Sequence, residues 1–505
     1  MRFLFIDIDT LRYDHLGCYG YERNTSPNID AIAKDSVRLN DYYCSDAPCL
    51  PSRAALFTGR FGINTGVVGH GGTAADMALE GPNRDFVDRN ADQNLPAIMR
   101  RYGLYPVSIS SFAERHGAWW FQAGFKEMYN VGNRGHEVAD EVTPTVLDWL
   151  ERNKDREDWF LHVHYWDPHT MYRAPESFGN PFEGQNSSSL DWITEDVFAK
   201  HRQMVGCHCA SEVNGYSDNE FVGFPRQLSH FDNLDDVRFN LDGYDCGIAY
   251  ADYHVGKIVA KLKEQGIYDD MIILVSSDHG EDMGELGRYD EHGCADECVT
   301  HIPFILKWPG LQGDVALDGL HYNVDFLPTL IEMMDDLSIS SDGKLPYQKN
   351  AKEEKSIYDG ESFAASLKNQ TNEGRDYLVL SQCAHVCQRS VRFEDYLYIR
   401  TYHDGYCLFD DDQLYNIKAD PHEQNNLATA EKEKCYQAAY YMEQWHTEQM
   451  KKKAKSAFRE DPLWTVMAEG GPFHAKGYLE GYLKRLEGTD RADKARQLRE
   501  KYPEE

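Results

Sequence analysis

The sequence predicts an α/β fold, with a large, mostly parallel sheet sandwiched by helices and a smaller C-terminal α+β subdomain. Three observations carry this. Short apolar runs alternate with helical patterns over the first two thirds of the chain, the pattern changes near Leu378, and 505 residues are too many for one small core.

Strands are expected at residues 3–8, 105–109, 159–165, 271–276 and 302–308, which are short, β-branched or aromatic, and bounded by turn residues. Helical spacing falls between them, at 27–34, 94–102, 142–153 and 244–265. Such βα alternation builds parallel sheets, whose ligands sit beyond the carboxyl ends of the strands. Residues 175–236 are polar and aromatic without periodicity, and read as an insertion, either a lid or a plain loop. The charged stretch 344–355 reads as a surface connection. A first domain is placed at 1–377 and a second at 378–505, with strands at 390–401 and 406–415 and a helix at 431–452. The tail from Asp461 carries Gly470-Gly471-Pro472-Phe473-His474 and ends in a charged helix. It reads as a packing arm or as an arm reaching into a cleft, its own or a neighbouring subunit's, so a homo-oligomer joined through the tail is one expectation.

Hydrophobic residues at 41% and charged residues at 27% are ordinary for a globular protein. A formal charge of −32 argues against nucleic acid or an anionic membrane as partner. An anionic substrate would need a local island of Arg, His and metal. The opening Met1-Arg2-Phe3-Leu4-Phe5-Ile6-Asp7 reads as a buried strand rather than a signal peptide, and no apolar run approaches the ~20 residues that span a bilayer. A cytoplasmic location is expected. Twelve cysteines are scattered without zinc-type pairing, and most read as buried, reduced thiols.

Cys49 is the exception. Pro51 suits a first helical position, which puts Cys49 at or just before a helix N-terminus, where free N–H groups favour an anion. Arg53, one turn on, faces the same point and can grip an oxyanion in two places. The competing reading is a buried cysteine before an ordinary helix. Asp9 stands where a strand ends, with Asp7 on the same strand face. Asp278 and His279 follow the run 271–276. Asp9, Asp278 and His279 could together hold a hard divalent cation, or each could serve an ordinary turn.

The segment Cys49-Leu50-Pro51-Ser52-Arg53-Ala54-Ala55-Leu56-Phe57-Thr58-Gly59-Arg60 resembles the signature of the formylglycine-dependent sulfatases, in the alkaline-phosphatase-like superfamily. Asp9-Thr10-Leu11-Arg12, Leu16-Gly17-Cys18-Tyr19-Gly20, Asp278-His279-Gly280 and Asp420-Pro421-His422 are similar to further motifs of that family, and the resemblance runs from about residue 3 to 428. It implies that Cys49 is oxidised by a separate maturation enzyme to an aldehyde, whose hydrate attacks sulfur. It implies one divalent cation, calcium foremost with magnesium or manganese as alternatives, held by Asp9, Asp278, His279, position 49 and Thr10. Thr10 stands where many relatives carry a second acid. Arg53 would stabilise the sulfate oxygens, and His169 or His116 would protonate the departing alcohol. His292 falls where relatives carry a sulfate-binding lysine. The family's Gly-Lys-x-His is absent at 109–116, and Arg115 and His116 are the expected replacements, with Ser111 or Ser110 lining the pocket. His70, in a glycine-rich loop, is a further substrate-contact candidate. A small sulfated saccharide is the expected substrate. The rivals are an aryl sulfate, a phosphonate or phosphodiester ester, and a non-catalytic anion-binding role.

Overall fold

The computed structural model describes residues 1–78, 89–185, 187–216, 224–340, 357–454, 456 and 460–503. The expected surface connection at 344–355 lies outside them. Eight strands form the main sheet, in the order Val315–Leu317, Val37–Leu39, Phe304–Lys307, Ile272–Ser276, Arg2–Ile8, Trp159–Tyr165, Tyr105–Ile109 and Glu127–Tyr129. Only Phe304–Lys307 runs antiparallel to its neighbours. The central strands are continuous apolar runs because both of their faces are covered. Leu4, Ile6 and Ile8 pack with the helices Pro27–Ala33, Ala139–Arg152 and Leu234–Glu264. Phe3 and Phe5 face the opposite layer, with the helices Cys49–Thr58, Leu95–Arg101 and Phe326–Ser340.

Register fixes where the chemistry can be. Asp7 pairs with both His164 and Ser276, so three central strands end level and deliver Asp9, His169, Asp278 and His279 to one edge. The helix Cys49–Thr58 starts at Cys49 itself, so Pro51 is its third residue rather than its first. Proline is tolerated there because first-turn N–H groups have no partner within the helix. The expected helix at 244–265 begins ten residues earlier, at Leu234, because Asn233 caps the N–H groups of Asp235 and Asp236. The insertion is therefore shorter than expected. Phe182, Leu190, Ile193, Phe198 and Phe231 from it join the main core, so its described part is packed structure.

The second sheet has the order Asp412–Asn416, Tyr396–His403, Cys387–Phe393, Tyr377–Gln382 and Asp46–Ala47. The run read as one strand at 390–401 is a hairpin that turns at Glu394-Asp395, with Glu394 at φ 48°. A two-residue turn without glycine or asparagine gave no signal. Of the run 406–415 only the end is strand, since Tyr406 and Leu408 take positive φ. Asp46–Ala47, two residues before Cys49, pairs with Tyr377–Gln382 and ties the helix Cys49–Thr58 to the second sheet. The helix Lys432–Lys453 packs on this sheet. The tail folds back on its own chain, with Arg389 paired to Asp461 at 2.8 Å and Arg491 to Glu212 at 2.6 Å. Among the described residues, no helix is long and apolar enough to cross a membrane.

Candidate active site

Cys49 is fully buried at its helix N-terminus. Its Sγ lies 3.1 Å from His279 Nε2, 3.8 Å from His169 Nε2 and 4.0 Å from Asp9 Oδ1. Burial, reinforced by Asp9 and Asp278, pushes the thiol up to about 12. An unmodified Cys49 is thus a neutral thiol at pH 7, a poor nucleophile as it stands.

Beneath it three carboxylates share one guanidinium. Arg53 Nε and Nη2 donate to the two oxygens of Asp7 at 2.9 and 3.1 Å, and Nη1 donates to Asp9 at 2.9 Å and Asp278 at 2.5 Å. Nη2 also meets His164 Nε2 at 2.7 Å. This corrects the expectation that Arg53 presents itself to substrate. Its N–H groups point at the carboxylates, because a fully buried cation is tolerated only with paired, hydrogen-bonded partners. Asp7 sits where strand period placed it, held by Arg53 and by His162 at 3.1 Å.

Thr10 also differs from expectation. Its hydroxyl donates to Asp9 Oδ1 at 2.8 Å and its N–H to Asp278 Oδ1 at 3.1 Å, in a left-handed backbone with φ 63°. It orients the two acids rather than replacing a third. Tyr244 fixes this turn by donating to Thr10 O at 2.7 Å.

The donor set fits a hard divalent cation. Asp9, Cys49, Asp278 and His279 bring one ligand atom each to within 4.8 Å of one another, all buried. His279 Nδ1–H donates to the Gly280 carbonyl at 2.8 Å, which leaves the Nε2 lone pair facing the cluster, and burial pushes the imidazole down to about 3. A neutral ring fixed by a backbone carbonyl is the usual state of a metal-ligating histidine. Burial, with Asp9 and Asp7 adding to it against Arg53, pushes Asp278 up to about 8. One guanidinium does not balance three carboxylates, and a divalent cation would.

A cavity of about 690 Å³ opens beside this cluster, lined by His70, Arg115, His116, His169, Glu291, His292, His385 and His474 among others. His169 Nδ1–H donates to the Thr170 carbonyl at 2.8 Å, so the neutral ring offers only a lone pair at Nε2, and burial holds its pKa well below the usual value. His292 is the opposite case. Burial disfavours its charge, but Glu291 at 2.7 Å, with Cys49 and Glu281, holds the imidazolium well above the ordinary histidine range. Of the candidate histidines it is the one kept as a cation, in the place expected of a lysine. His116 stands 5.0 Å from His70, ring to ring, and burial beside Arg115 keeps it neutral. Arg115 lies over the Trp166 ring at 4.9 Å. Ser111 does not line the cavity. It is buried, and its Oγ accepts the Trp166 indole N–H at 3.1 Å, because an indole so enclosed needs an acceptor. Ser110 meets His164 Nδ1 at 2.9 Å.

Sequence reasoning missed His164, Glu291 and His385 as site residues, whereas His474 lies in the glycine-rich turn expected either to pack or to reach into a cleft, and it lines the cavity of its own chain. His164 could have been found, since it lies one strand over from Asp7 in the parallel register. His385 and His474 sit in loops with no spacing that marks them.

A parallel sheet with a nucleophile helix and a carboxylate–imidazole cluster at its carboxyl edge defines a hydrolase of the alkaline-phosphatase-like class. The sulfatase family model matches residues 2–336, and the chain belongs to the sulfatase family, which are sulfuric ester hydrolases. It is 24% identical to the choline-sulfatase of Rhizobium meliloti over 440 residues, covering 80% of this chain and 77% of that one. It is 20% identical to the N-acetylglucosamine-6-O-sulfatase of Bacteroides thetaiotaomicron over 488 residues, covering 84% and 82%. Its fold matches that of a phosphonate monoester hydrolase of Agrobacterium radiobacter with TM-score 0.63 and 18% identity, over 88% of this chain and 95% of that one.

Proposed function

We propose that the protein hydrolyses a sulfate ester of a carbohydrate, using a formylglycine made from Cys49 and one divalent cation, calcium by preference. One observation carries this reading, the convergence of Cys49 Sγ with His279, His169 and Asp9 at 3.1–4.0 Å. Sγ here marks the position of the aldehyde oxygens, whose hydrate supplies a hydroxyl nucleophile that a neutral thiol does not. Asp9, Asp278 and His279 would hold the cation, which supplies Lewis-acid stabilisation of charge on oxygen. Two oxygen ligands and one imidazole favour calcium or magnesium over softer ions.

The chain's own groups then divide the work. His169 accepts a proton at Nε2 from the hydroxyl at position 49. His292, charged and beside position 49, donates to a sulfate oxygen or to the leaving alcohol. Arg53 fixes the carboxylates that orient the nucleophile, acting through them. The histidine-lined cavity and Arg115 suit a polar, hydroxylated leaving group, and the glucosamine sulfatase relative supports a sugar. The twelve unpaired thiols support a reducing compartment such as the cytoplasm.

The test is mass analysis of the peptide spanning Cys49, from protein made in its native host or with a formylglycine-generating enzyme, alongside hydrolysis of sulfated sugars. Aldehyde at position 49 with turnover supports the reading, and an unmodified thiol in an active protein overturns it. The phosphonate hydrolase likeness keeps one rival in view. Rates on sulfate and phosphonate esters of a single alcohol separate the two, and faster phosphonate cleavage would favour the rival.

A further inference from the structure

The far wall of the cavity holds a second set of ligating side chains that the sulfate-ester reading does not use. His70, His385 and His474 each bring a ring nitrogen to within 4.8 Å of the other two. His70 Nδ1 and His474 Nε2 are 3.0 Å apart, and the His385 and His474 rings stack at 4.1 Å. His385 is only 6% exposed, yet neither of its ring nitrogens has a hydrogen-bond partner, and His70 Nε2 has none either. A buried, unpartnered imidazole nitrogen carries a desolvation penalty that a ligand would relieve.

The surroundings are built to hold these rings. His474 is delivered by a turn with Gly470 and Gly471 at φ 92° and 91°, where a side chain would be strained. A Cβ on Gly471 would also come within 2.9 Å of His403 Nε2. The turn is pinned by His474 N–H donating to Ala384 O at 3.0 Å, one residue before His385. Glu291 carries a carboxylate to 3.8 Å from His385 Nε2.

We propose that His70, His385 and His474 form a second cation site, taking a late first-row divalent ion such as zinc, with an open coordination position toward the substrate cavity. Three imidazoles select zinc, cobalt or nickel over calcium and magnesium, the reverse of the preference at Asp9, Asp278 and His279. Zinc–imidazole bonds of about 2.0–2.1 Å need ring nitrogens little more than 3 Å apart, as His70 and His474 already are. Burial keeps all three rings neutral, with His474 down at about 4, so they offer lone pairs and not charge. That favours a cation over a second sulfate. Three protein ligands and one open position describe a zinc site that accepts an oxygen from a bound molecule, here a hydroxyl or carboxylate of the substrate.

The test uses the full chain with Cys49→Ala. That change removes one competing trio, Cys49, His279 and His292, and separates the result from any question of formylglycine; two others share His385, with Cys207 and His208 and with Glu291 and His292, so His474→Ala and His70→Gln carry the assignment. With calcium present in excess, the metal-stripped protein is titrated with zinc alone and, separately, with cobalt(II) for its visible absorption. One ion per chain with an intense tetrahedral cobalt band is expected. His385→Ala and His474→Ala should each weaken zinc binding beyond the about 10–100-fold typical of second-shell changes, with calcium binding and melting temperature retained. His70→Gln, at a less buried position, gives the same reading should either variant fold poorly. Absence of stoichiometric zinc, absence of the cobalt band, or zinc binding indifferent to all three substitutions each overturns the proposal.

Discussion

Two groups of ligating side chains face each other across His292, and they are built in opposite ways. At the strand edge, Asp7, Asp9 and Asp278 share the one guanidinium of Arg53 in a hydrogen-bonded network at 2.5–3.1 Å. Across the cavity, His70, His385 and His474 come from three distant loops, and several of their nitrogens meet nothing. The first group is organised before any substrate arrives, as electrostatic catalysis requires. The second shares its cavity with Arg115 and His116. The carboxylate cluster therefore sits on strand and helix ends, and the histidine cluster sits on loops, where binding residues are often carried.

The sharpest way to break this comparison is to substitute one residue from each side. Cys49→Ala should lower sulfate-ester hydrolysis by about 10⁴-fold or more with the fold intact, as loss of a nucleophile does. His116→Ala, on the cavity wall, should act mainly on KM. Equal losses in kcat from both would mean that the strand edge and the cavity wall are not functionally distinct. Arg53→Leu tests the hydrogen-bonded network for stability. Removing one partner from a buried ionic cluster costs about 3–5 kcal/mol, read as a lower urea midpoint. A shift under about 1 kcal/mol would mean that the carboxylates do not depend on the guanidinium.

The tail that delivers His474 is anchored at its start by a buried pair. Asp461 accepts from Arg389 at 2.8 Å and caps the helix Pro462–Ala468. Burial opposes its charge, but His446 and Arg389 hold the carboxyl down at about 2, against 3.8 unperturbed. Its contribution, about 2 kcal/mol, is therefore complete above pH 4 and disappears as pH falls through about 2. Asp461→Asn should lower unfolding stability by about that amount at pH 6, and the gap to the parent protein should close between pH 4 and 2. A gap independent of pH would assign the effect to capping alone.

The strand-edge site was legible in the sequence because its residues are tied to periodic elements. Asp9, Asp278 and His279 each follow an apolar strand and Cys49 opens a helix, but pattern alone left ordinary turns open, and the resemblance of the motifs to the sulfatases implied one site. What those residues touch was less legible. Arg53 and Ser111 look like substrate contacts by residue type, and both turn inward to satisfy buried partners. The hairpin at 387–403 was hidden by a turn without glycine. The turn carrying His474 was legible as an arm that could enter a cleft, but its meeting with His385 was hidden, because loop-to-loop contact between residues 89 positions apart leaves no periodic trace.

The smallest expected effect probes how finely the strand edge is adjusted. Thr10 combines a β-branched side chain with φ 63°, an unfavourable backbone for that residue type. Its hydroxyl donates to Asp9 and its N–H to Asp278. Thr10→Val keeps the branching, the strain and the N–H, and removes only the hydroxyl donor. It should cost about 1 kcal/mol of stability and weaken calcium binding by about 10-fold, as loss of a second-shell partner does. Thr10→Gly removes the same donor but relieves the strain, worth about 1 kcal/mol, so its stability should stay near that of the parent while calcium affinity falls as in Thr10→Val. Matched affinities with separated stabilities would show that the hydroxyl orients Asp9 for the cation and that the backbone strain is the cost of placing it there. Calcium binding unchanged in Thr10→Val would instead leave Asp9 oriented by Arg53 and His164 alone.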